Sequence, residues 1–599
     1  MENNNYNNLQ EDHEEDGIPT TIDEIFLQIN EFGKFQKIFA LYITYMTAAT
    51  GMVSMSFMIL GRKETPTCMI NNNVTSSCNS NNYCDYQYEF PLKGTYSYSS
   101  SYNLYCKRSE LFPLPTMSYF FGFAIGAWIG GTVSDKLGRK PVFLGSSICI
   151  CICNIIMCLA NDFGLFLTAR FFIGFFIGSQ LSGGWNLLME VLGKNYRATI
   201  GGYVWCVWCF FVSSNQLIAY LIDTMYKEKD IAYLDIIGTD MKLYSWQFSG
   251  LIMGLPMFIG LLFGPYFVSE SPRYLLLNGR VEETIKILEN VALVNNRKMP
   301  LRYNLSLDTI DNKMTTAVNS SNSSNNNNNN NNNSLSTFDL CRDTQVAICT
   351  VTITYLWFAT NVAYYGMSIA LSRISDDIYL SIVYLTMLQA PAYFFTGYIL
   401  KLFGRRHILG FCLFQGACSC LIFAFLSSDE STDEDDVSSS PSTFMQIVAF
   451  TSMLGLTLSF SVIYIFTSEL FPTTFRGLGF GVTNIGARLG GILAPYIVEL
   501  HFFGKRTPSI IFGILALIGG IASLVFLPET KGCDTLETLE DMKRLYGGED
   551  GGGGGKICRW CCGGGGGGSS DDTNIGGETY GTMYNIVEDD GNSEGGDVD

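Results

Sequence analysis

Gly131-Thr132-Val133-Ser134-Asp135-Lys136-Leu137-Gly138-Arg139-Lys140 separates two long apolar runs. A glycine is followed four residues later by an acid, and then by a second glycine flanked by bases. A charged turn this short, between apolar stretches of about twenty residues, fits two membrane-crossing helices joined at one face of a bilayer. The shape returns as Gly397-Tyr398-Ile399-Leu400-Lys401-Leu402-Phe403-Gly404-Arg405-Arg406. The second copy keeps both glycines and the basic pair but has Lys401 where the first has Asp135.

The composition supports the membrane reading. Apolar residues make up 47% of the chain and charged residues 15%, and the apolar residues come in blocks. The net charge of −18 belongs to the polar segments. Residues 1–31 hold nine acids and no Lys or Arg, and residues 532–599 and Asp429–Asp436 are also acidic. What remains is mildly basic, so a nucleic-acid partner is not indicated. No catalytic constellation stands out, which argues against an enzyme. No cofactor motif is present. Cys558 and Cys561 lack the further ligands a metal site needs.

Working outward from the two turns, twelve spans are predicted: Phe35–Leu60, then 114–133, 141–160, 165–191, 202–222 and 247–268, then 346–370, 378–400, 408–427, 443–467, 478–499 and 508–527. The fold class is an all-α polytopic membrane protein with twelve transmembrane helices in two six-helix halves, 35–268 and 346–530. An acidic, disordered tail is expected over 1–34. An insert with an Asn-rich linker is expected over 269–345, amphipathic and helical around Val281–Val291. A Gly- and acid-rich tail is expected over 531–599. No signal peptide precedes the first span, so that span must act as the insertion signal.

Lys136, Arg139, Lys140, Lys194, Arg197, Arg405, Arg406 and Arg476 fall on one side of this topology, which makes that side cytosolic and places both termini there. The loop 61–113 is then outside. It carries Cys68, Cys78, Cys84 and Cys106, expected to form two disulfides in one of three pairings, and a glycosylation sequon at Asn73.

Three landmarks recur in order in the two halves. Gly131/Asp135/Arg139 maps to Gly397/Lys401/Arg405. Glu190 and Arg197, seven apart, map to Glu469 and Arg476, also seven apart. Glu270, in Ser-Glu-Ser-Pro-Arg273, maps to Glu529 in Pro-Glu-Thr-Lys. The positive-inside bias explains the bases but not four acids at matching span ends. Together with Arg406 these residues read as a cytosolic gate of pairs that close and separate in alternating access.

Beyond the repeat, the chain resembles the major facilitator superfamily and, within it, the organic cation/anion/carnitine transporter family. The charged turns carry the superfamily likeness. The family likeness rests on the four-cysteine loop, Trp357–Gly366, Asp377–Leu380, Gln389–Tyr393 and Thr467–Arg476 running on to Gly491. The resemblance implies the major facilitator fold, a small organic ion as substrate, possible coupling to an unidentified ion, and the plasma membrane as location.

Arg488 stands inside an apolar span, and a charge at that depth is a functional candidate by default. In the resembling family this position is acidic in cation carriers and Arg in anion and carnitine-type carriers. That favours organic anions or zwitterions over an organic cation or a sugar-type substrate. Tyr364 and Tyr365 occupy the position where the family places cavity aromatics. Trp185 and Gln216 complete the candidate binding residues. A non-transporting nutrient sensor is the alternative from another class.

Overall fold

The computed structural model describes residues 22–56, 60, 97–104, 106–193, 195–228, 242–300, 344–372, 378–426, 443–473, 476–500, 504 and 506–531, four short strands at 67–70, 73–75, 87–89 and 234–235, and residues 536 and 542, some of them in backbone only. All of these fall in the first of two units, Met1–Ile557; the second, Cys558–Asp599, lies outside the described residues.

Among the described residues, twelve helices of twenty residues or more occupy the predicted spans. The first half holds α2 (Lys34–Met55), α3 (Leu114–Leu137), α4 (Arg139–Cys158), α5 (Phe163–Val191), α6 (Arg197–Glu228) and α7 (Ser245–Phe267). The second holds α10 (Thr344–Ser372), α11 (Ile378–Phe403), α12 (Arg405–Leu426), α13 (Thr443–Leu470), α14 (Arg476–Glu499) and α15 (Thr507–Phe526). Between the halves lie two short helices, α8 (Pro272–Leu277) and α9 (Val281–Val294). Local chemistry sets several boundaries. Asp162 caps α5 by accepting the N–H groups of Gly164 and Leu165. Ser271 caps α8 ahead of Pro272, whose missing N–H costs nothing at that position. Pro256, Pro265, Pro391 and Pro495 lie inside spanning helices, where neighbouring helices can satisfy the freed carbonyls.

Searched over the described residues, nine of the twelve are long and apolar enough by composition alone to cross a membrane. The other three, α3, α11 and α14, all take part in contacts between the halves.

The two halves repeat their internal packing: α2 lies on α6 as α10 lies on α14, and α4 lies on α7 as α12 lies on α15. They meet along two seams, α3 against α14 and α6 against α11. Glycine makes each close approach possible. A Cβ at Gly131 would collide with the carbonyl of Gly477, and a Cβ at Gly397 with the backbone of Thr199. The leading glycines of the two charged turns thus sit at matching points on the two seams.

One expectation needs correction. Residues 22–33 are not part of a disordered tail: Ile22–Gln28 forms a helix, α1. Its Ile22, Ile25 and Phe26, with Ile29, share one face and are buried on Leu276, Leu288, Val291 and Ala292 of α8 and α9. The apolar spacing is helical, but it is embedded in acids and asparagines that dominate the composition. The Asn-rich run, Cys78 and Cys84 lie outside the described residues, as do the side chains of Cys68, Cys106 and Asn73. The disulfide and glycosylation expectations therefore fall there. The loop's described backbone includes a three-stranded antiparallel sheet in the order 73–75, 67–70, 87–89.

Candidate functional site

Two groups of side chains at the interface of the halves account for nearly all the predicted residues. The first is at the end of the bundle where the charged turns lie. Gly138 and Gly404 turn the chain between α3 and α4 and between α11 and α12, with φ of +110° and +82°. Those are values at which a Cβ is strained, so the second glycine of each turn is required as well. The residue after each glycine opens a helix, and an acid from far along the chain accepts its N–H: Glu270 for Arg139 at 3.0 Å, Glu529 for Arg405 at 2.8 Å. The same carboxylates also take the N–H of Lys140 and Arg406, at 3.2 and 3.1 Å. Four acid–amide contacts therefore satisfy helix N-termini that have no internal partner. Burial raises the Glu270 carboxyl above its usual range, opposed by the N–H groups it accepts from Ser271, Arg139 and Lys140.

The arginine side chains turn inward. Arg139 reaches Glu190 at 3.2 Å and Asp135 at 3.1 Å; Arg405 reaches Glu469 at 2.9 Å. Arg406 instead bonds the Leu524 carbonyl. Within each half the repeat is faithful. Across the halves it is not. Glu190, fully buried, also meets Arg476 at 3.6 Å, so one carboxylate serves an arginine from each half. Asp135 accepts the N–H of Leu478 at 3.0 Å, capping α14 from the opposite half. At the matching point on the other seam, Lys401 lies over the ring of Tyr196 at 5.9 Å, just before α6 begins. Arg197 and Arg273 there meet Asp23 of α1, at 3.3 and 2.5 Å.

The second group lies deep in the spans. Arg488 is 4% exposed. Its Nε donates to Asn484 at 3.1 Å, and its guanidinium lies over the ring of Phe123 in the other half, 3.4 Å from the centroid. Tyr365 and Tyr464 lie close enough to interact with it electrostatically. None of these partners is a carboxylate. Tyr464 is the hub of an aromatic cluster that crosses between the halves, with ring centroids 5.3 Å from Trp185, 4.4 Å from Trp205, 4.5 Å from Trp357 and 5.3 Å from Phe460. Tyr364 packs, tilted, at 5.5 Å from Phe460 and donates to Gln389 at 2.9 Å. Tyr365 meets Phe120 of the first half edge-on at 5.4 Å. The indole N–H groups of Trp185 and Trp205, both amide atoms of Gln216 and the Gln389 Nε2 are buried without a hydrogen-bond partner. Such atoms are uncommon in protein interiors and mark polar surface that can accept a ligand.

Arg488, Tyr365 and Trp185 are thus brought together through Tyr464, and Tyr364 through Phe460. Gln216 is buried, and among the described residues no ring contact or hydrogen bond ties it to that cluster. Reading the sequence did not single out Tyr464, Trp205 or Asn484, because an aromatic residue in an apolar span carries no sign of which side it faces. Arg170 was also missed, although its signal was available: a charge inside an apolar run. It is fully buried in α5, with Nη2 at 3.5 Å from Ser56 Oγ and the guanidinium over Phe166.

A family profile described as "Sugar (and other) transporter" matches residues 71–546. The chain belongs to this transporter family, within the major facilitator superfamily. Its relatives place it with the solute carrier 22 proteins. "Solute carrier family 22 member 15-like" of Xenopus laevis is 27% identical over 526 residues, covering 87% of this chain and 96% of the relative. "Organic cation/carnitine transporter 2" of Mus musculus is 27% identical over 453 residues, covering 75% and 72%. Among solved structures, a proton:xylose symporter, XylE, bound to 6-bromo-6-deoxy-D-glucose superposes with a TM-score of 0.57 over 87% of this chain and all of that one. At 16% identity it shows the shared fold alone. This solute carrier 22-type transporter is therefore an integral, multi-pass membrane protein and not an enzyme, and its family moves small molecules.

Proposed function

We propose that this transporter carries small organic anions or zwitterions of the carnitine type by alternating access, with the charged turns and both termini on the cytosolic side of the plasma membrane. The observation that carries the reading is Arg488: a guanidinium buried between the halves whose partners are two tyrosines, an asparagine and a phenyl ring. A buried charge without an opposite charge is expensive in a membrane protein, and an anionic substrate would supply what is missing. The aromatic faces around Tyr464 suit a flat or onium-bearing organic body. A zwitterion uses both features, with its carboxylate at Arg488 and its cationic end among the rings. An organic cation is the second reading, favoured by that same aromatic cluster.

Alternating access fits the geometry of the charged end. Asp135 with the α14 N-terminus, and Glu190 with Arg476, are contacts between halves that a rocking motion would break. Glu270, Glu469 and Glu529 make contacts within halves, which a rocking motion would preserve. The test is uptake into proteoliposomes of a panel of organic anions, zwitterions, cations and hexoses, with imposed proton and sodium gradients. Carboxylate-bearing substrates are expected to be carried and to compete with one another. Uptake confined to cations or hexoses would overturn the reading, and no flux across the panel would favour a sensor.

A further inference from the structure

The two seams between the halves are closed by different means. On the α3–α14 seam the first half supplies two acids: Asp135 caps α14 and Glu190 takes Arg476. Repeat symmetry would have residue 401 cap α6 and Glu469 take Arg197. Residue 401 is a lysine, which cannot accept an N–H and whose charge is unfavourable beside a helix N-terminus. Glu469 is committed elsewhere, with Arg405 on both of its oxygens at 2.9 and 3.0 Å and the Thr530 hydroxyl at 2.8 Å. Arg197 has the conformation symmetry calls for. Its Nε donates to the carbonyls of Met189 and Leu192 as Arg476 Nε donates to that of Phe471. Its outward nitrogen, however, meets Asp23.

Asp23 is held there by more than its charge. The apolar face of α1 is buried on α8 and α9, with Phe26 and Ile25 fully covered. Just after α1, Glu31 accepts two bonds from Asn195, and Phe32 stacks on Tyr196 at 4.8 Å. Tyr196 is the same ring that Lys401 lies over. The N-terminal segment therefore grips the whole turn leading into α6.

We propose that Asp23 is a positioning residue of the transport cycle, and that α1 is a third component of the gate. By holding Arg197 and Arg273 within the first half, Asp23 keeps Arg197 out of salt-bridge contact with Glu469, so that among the described residues no ion pair joins Arg197 to Glu469 across the α6–α11 seam. The gate is thereby locked on one seam and unlocked on the other, which lowers the cost of opening it. Without Asp23, Arg197 turns to Glu469 and both seams lock. This rests on the alternating-access reading above.

The test is initial-rate transport, per copy at the surface, for the full-length protein and for Asp23→Asn, Asp23→Glu and Phe26→Ala. Phe26→Ala undocks α1 without altering any charge. Asp23→Asn and Phe26→Ala are expected to lower the maximal rate roughly fivefold or more while leaving KM within about twofold, and Asp23→Glu to restore the rate. In a Glu469→Gln background, Asp23→Asn is expected to have no further effect. Wild-type rates for both Asp23→Asn and Phe26→Ala, or equal changes in rate and KM, would overturn the proposal. So would retention of both variants inside the cell, which would make the contact one of folding. If the wild-type protein carries nothing on the panel, the failure lies with the functional reading instead.

Discussion

Asp135 Oδ2 accepts the backbone N–H of Leu478 at 3.0 Å, from the last turn of α3 to the first turn of α14 in the opposite half. The same carboxylate lies 3.1 Å from Arg139, one helical turn on. A single acid therefore joins the charged turn to the other half, and the repeat has no second acid at that position. Asp135→Asn keeps an acceptor for Leu478 but leaves Arg139 with less negative charge around it. It is expected to lower turnover by a few-fold. Asp135→Lys removes the acceptor and puts a cation at a helix N-terminus, and is expected to lower turnover about tenfold or more. Substrate preference should be unchanged in both, because Arg488 and the aromatic cluster are not touched. Initial rates against concentration for two competing substrates would check this; a change of preference without a change of rate would contradict it.

The converse change is Lys401→Asp. It would place an acid where repeat symmetry puts the cap of α6, and would free the Tyr196 ring of its cation. A second capped seam should make the charged end harder to open, so turnover is expected to fall even though the substitution restores the motif. Rates at or above wild type would show that the lysine is incidental.

Gly131 and Gly397 are predicted to tolerate no side chain while the seams are closed. At Gly131 the obstruction is the Gly477 carbonyl and at Gly397 the Thr199 backbone, neither of which can move aside as a flexible side chain would. Gly131→Val and Gly397→Val should hold the charged end open, read as faster labelling of an introduced cysteine from that side and a loss of transport. Gly145, where an added Cβ meets nothing within 4 Å, supplies the control as Gly145→Ala.

Much of this was legible beforehand because a lipid-facing helix must be written in about twenty apolar residues, and because duplication repeats the same landmarks. Within each half the charged contacts followed the repeat: Arg139 with Glu190 and Glu270, Arg405 with Glu469 and Glu529. What stayed hidden depended on the third dimension. Tyr464 is one tyrosine among several in apolar runs until its ring is seen between Trp185, Trp205 and Trp357. Asp23 was one of nine acids in residues 1–31, and only its place on the docked helix α1, against Arg197 and Arg273, separates it from the others.

Glu270 offers a test of capping against charge. Burial holds its carboxyl above the usual range, so the ionised form costs more in the folded protein than in the unfolded chain. Stability from this group is therefore fully present at low pH and declines as pH rises through the raised pKa. Glu270→Gln keeps an acceptor for the Arg139 and Lys140 N–H groups and gives up a charge that burial already penalises. It is expected to melt within about 1 kcal/mol of wild type at neutral pH. Glu270→Ala removes the cap from α4 and is expected to cost about 1–2 kcal/mol. Thermal unfolding in detergent would separate the two, and equal losses would place the importance of Glu270 in its charge.

Arg488 is predicted to decide the sign of the substrate. Its side chain is held by Asn484 and by the Phe123 ring, so the guanidinium's position does not depend on a ligand. Arg488→Lys keeps the charge but loses the planar fork that can bond a carboxylate twice. It is expected to raise KM for carboxylate substrates about tenfold with a smaller change in maximal rate. Arg488→Asp reverses the charge beside the same aromatic cluster. Anion uptake should fall to background, while organic cations, which the rings can still hold, should gain uptake. The measurement is paired uptake of one anion and one cation at matched surface expression. Unchanged anion uptake in Arg488→Asp would remove Arg488 from the binding site, and the loss of both substrates would assign it to packing between the halves.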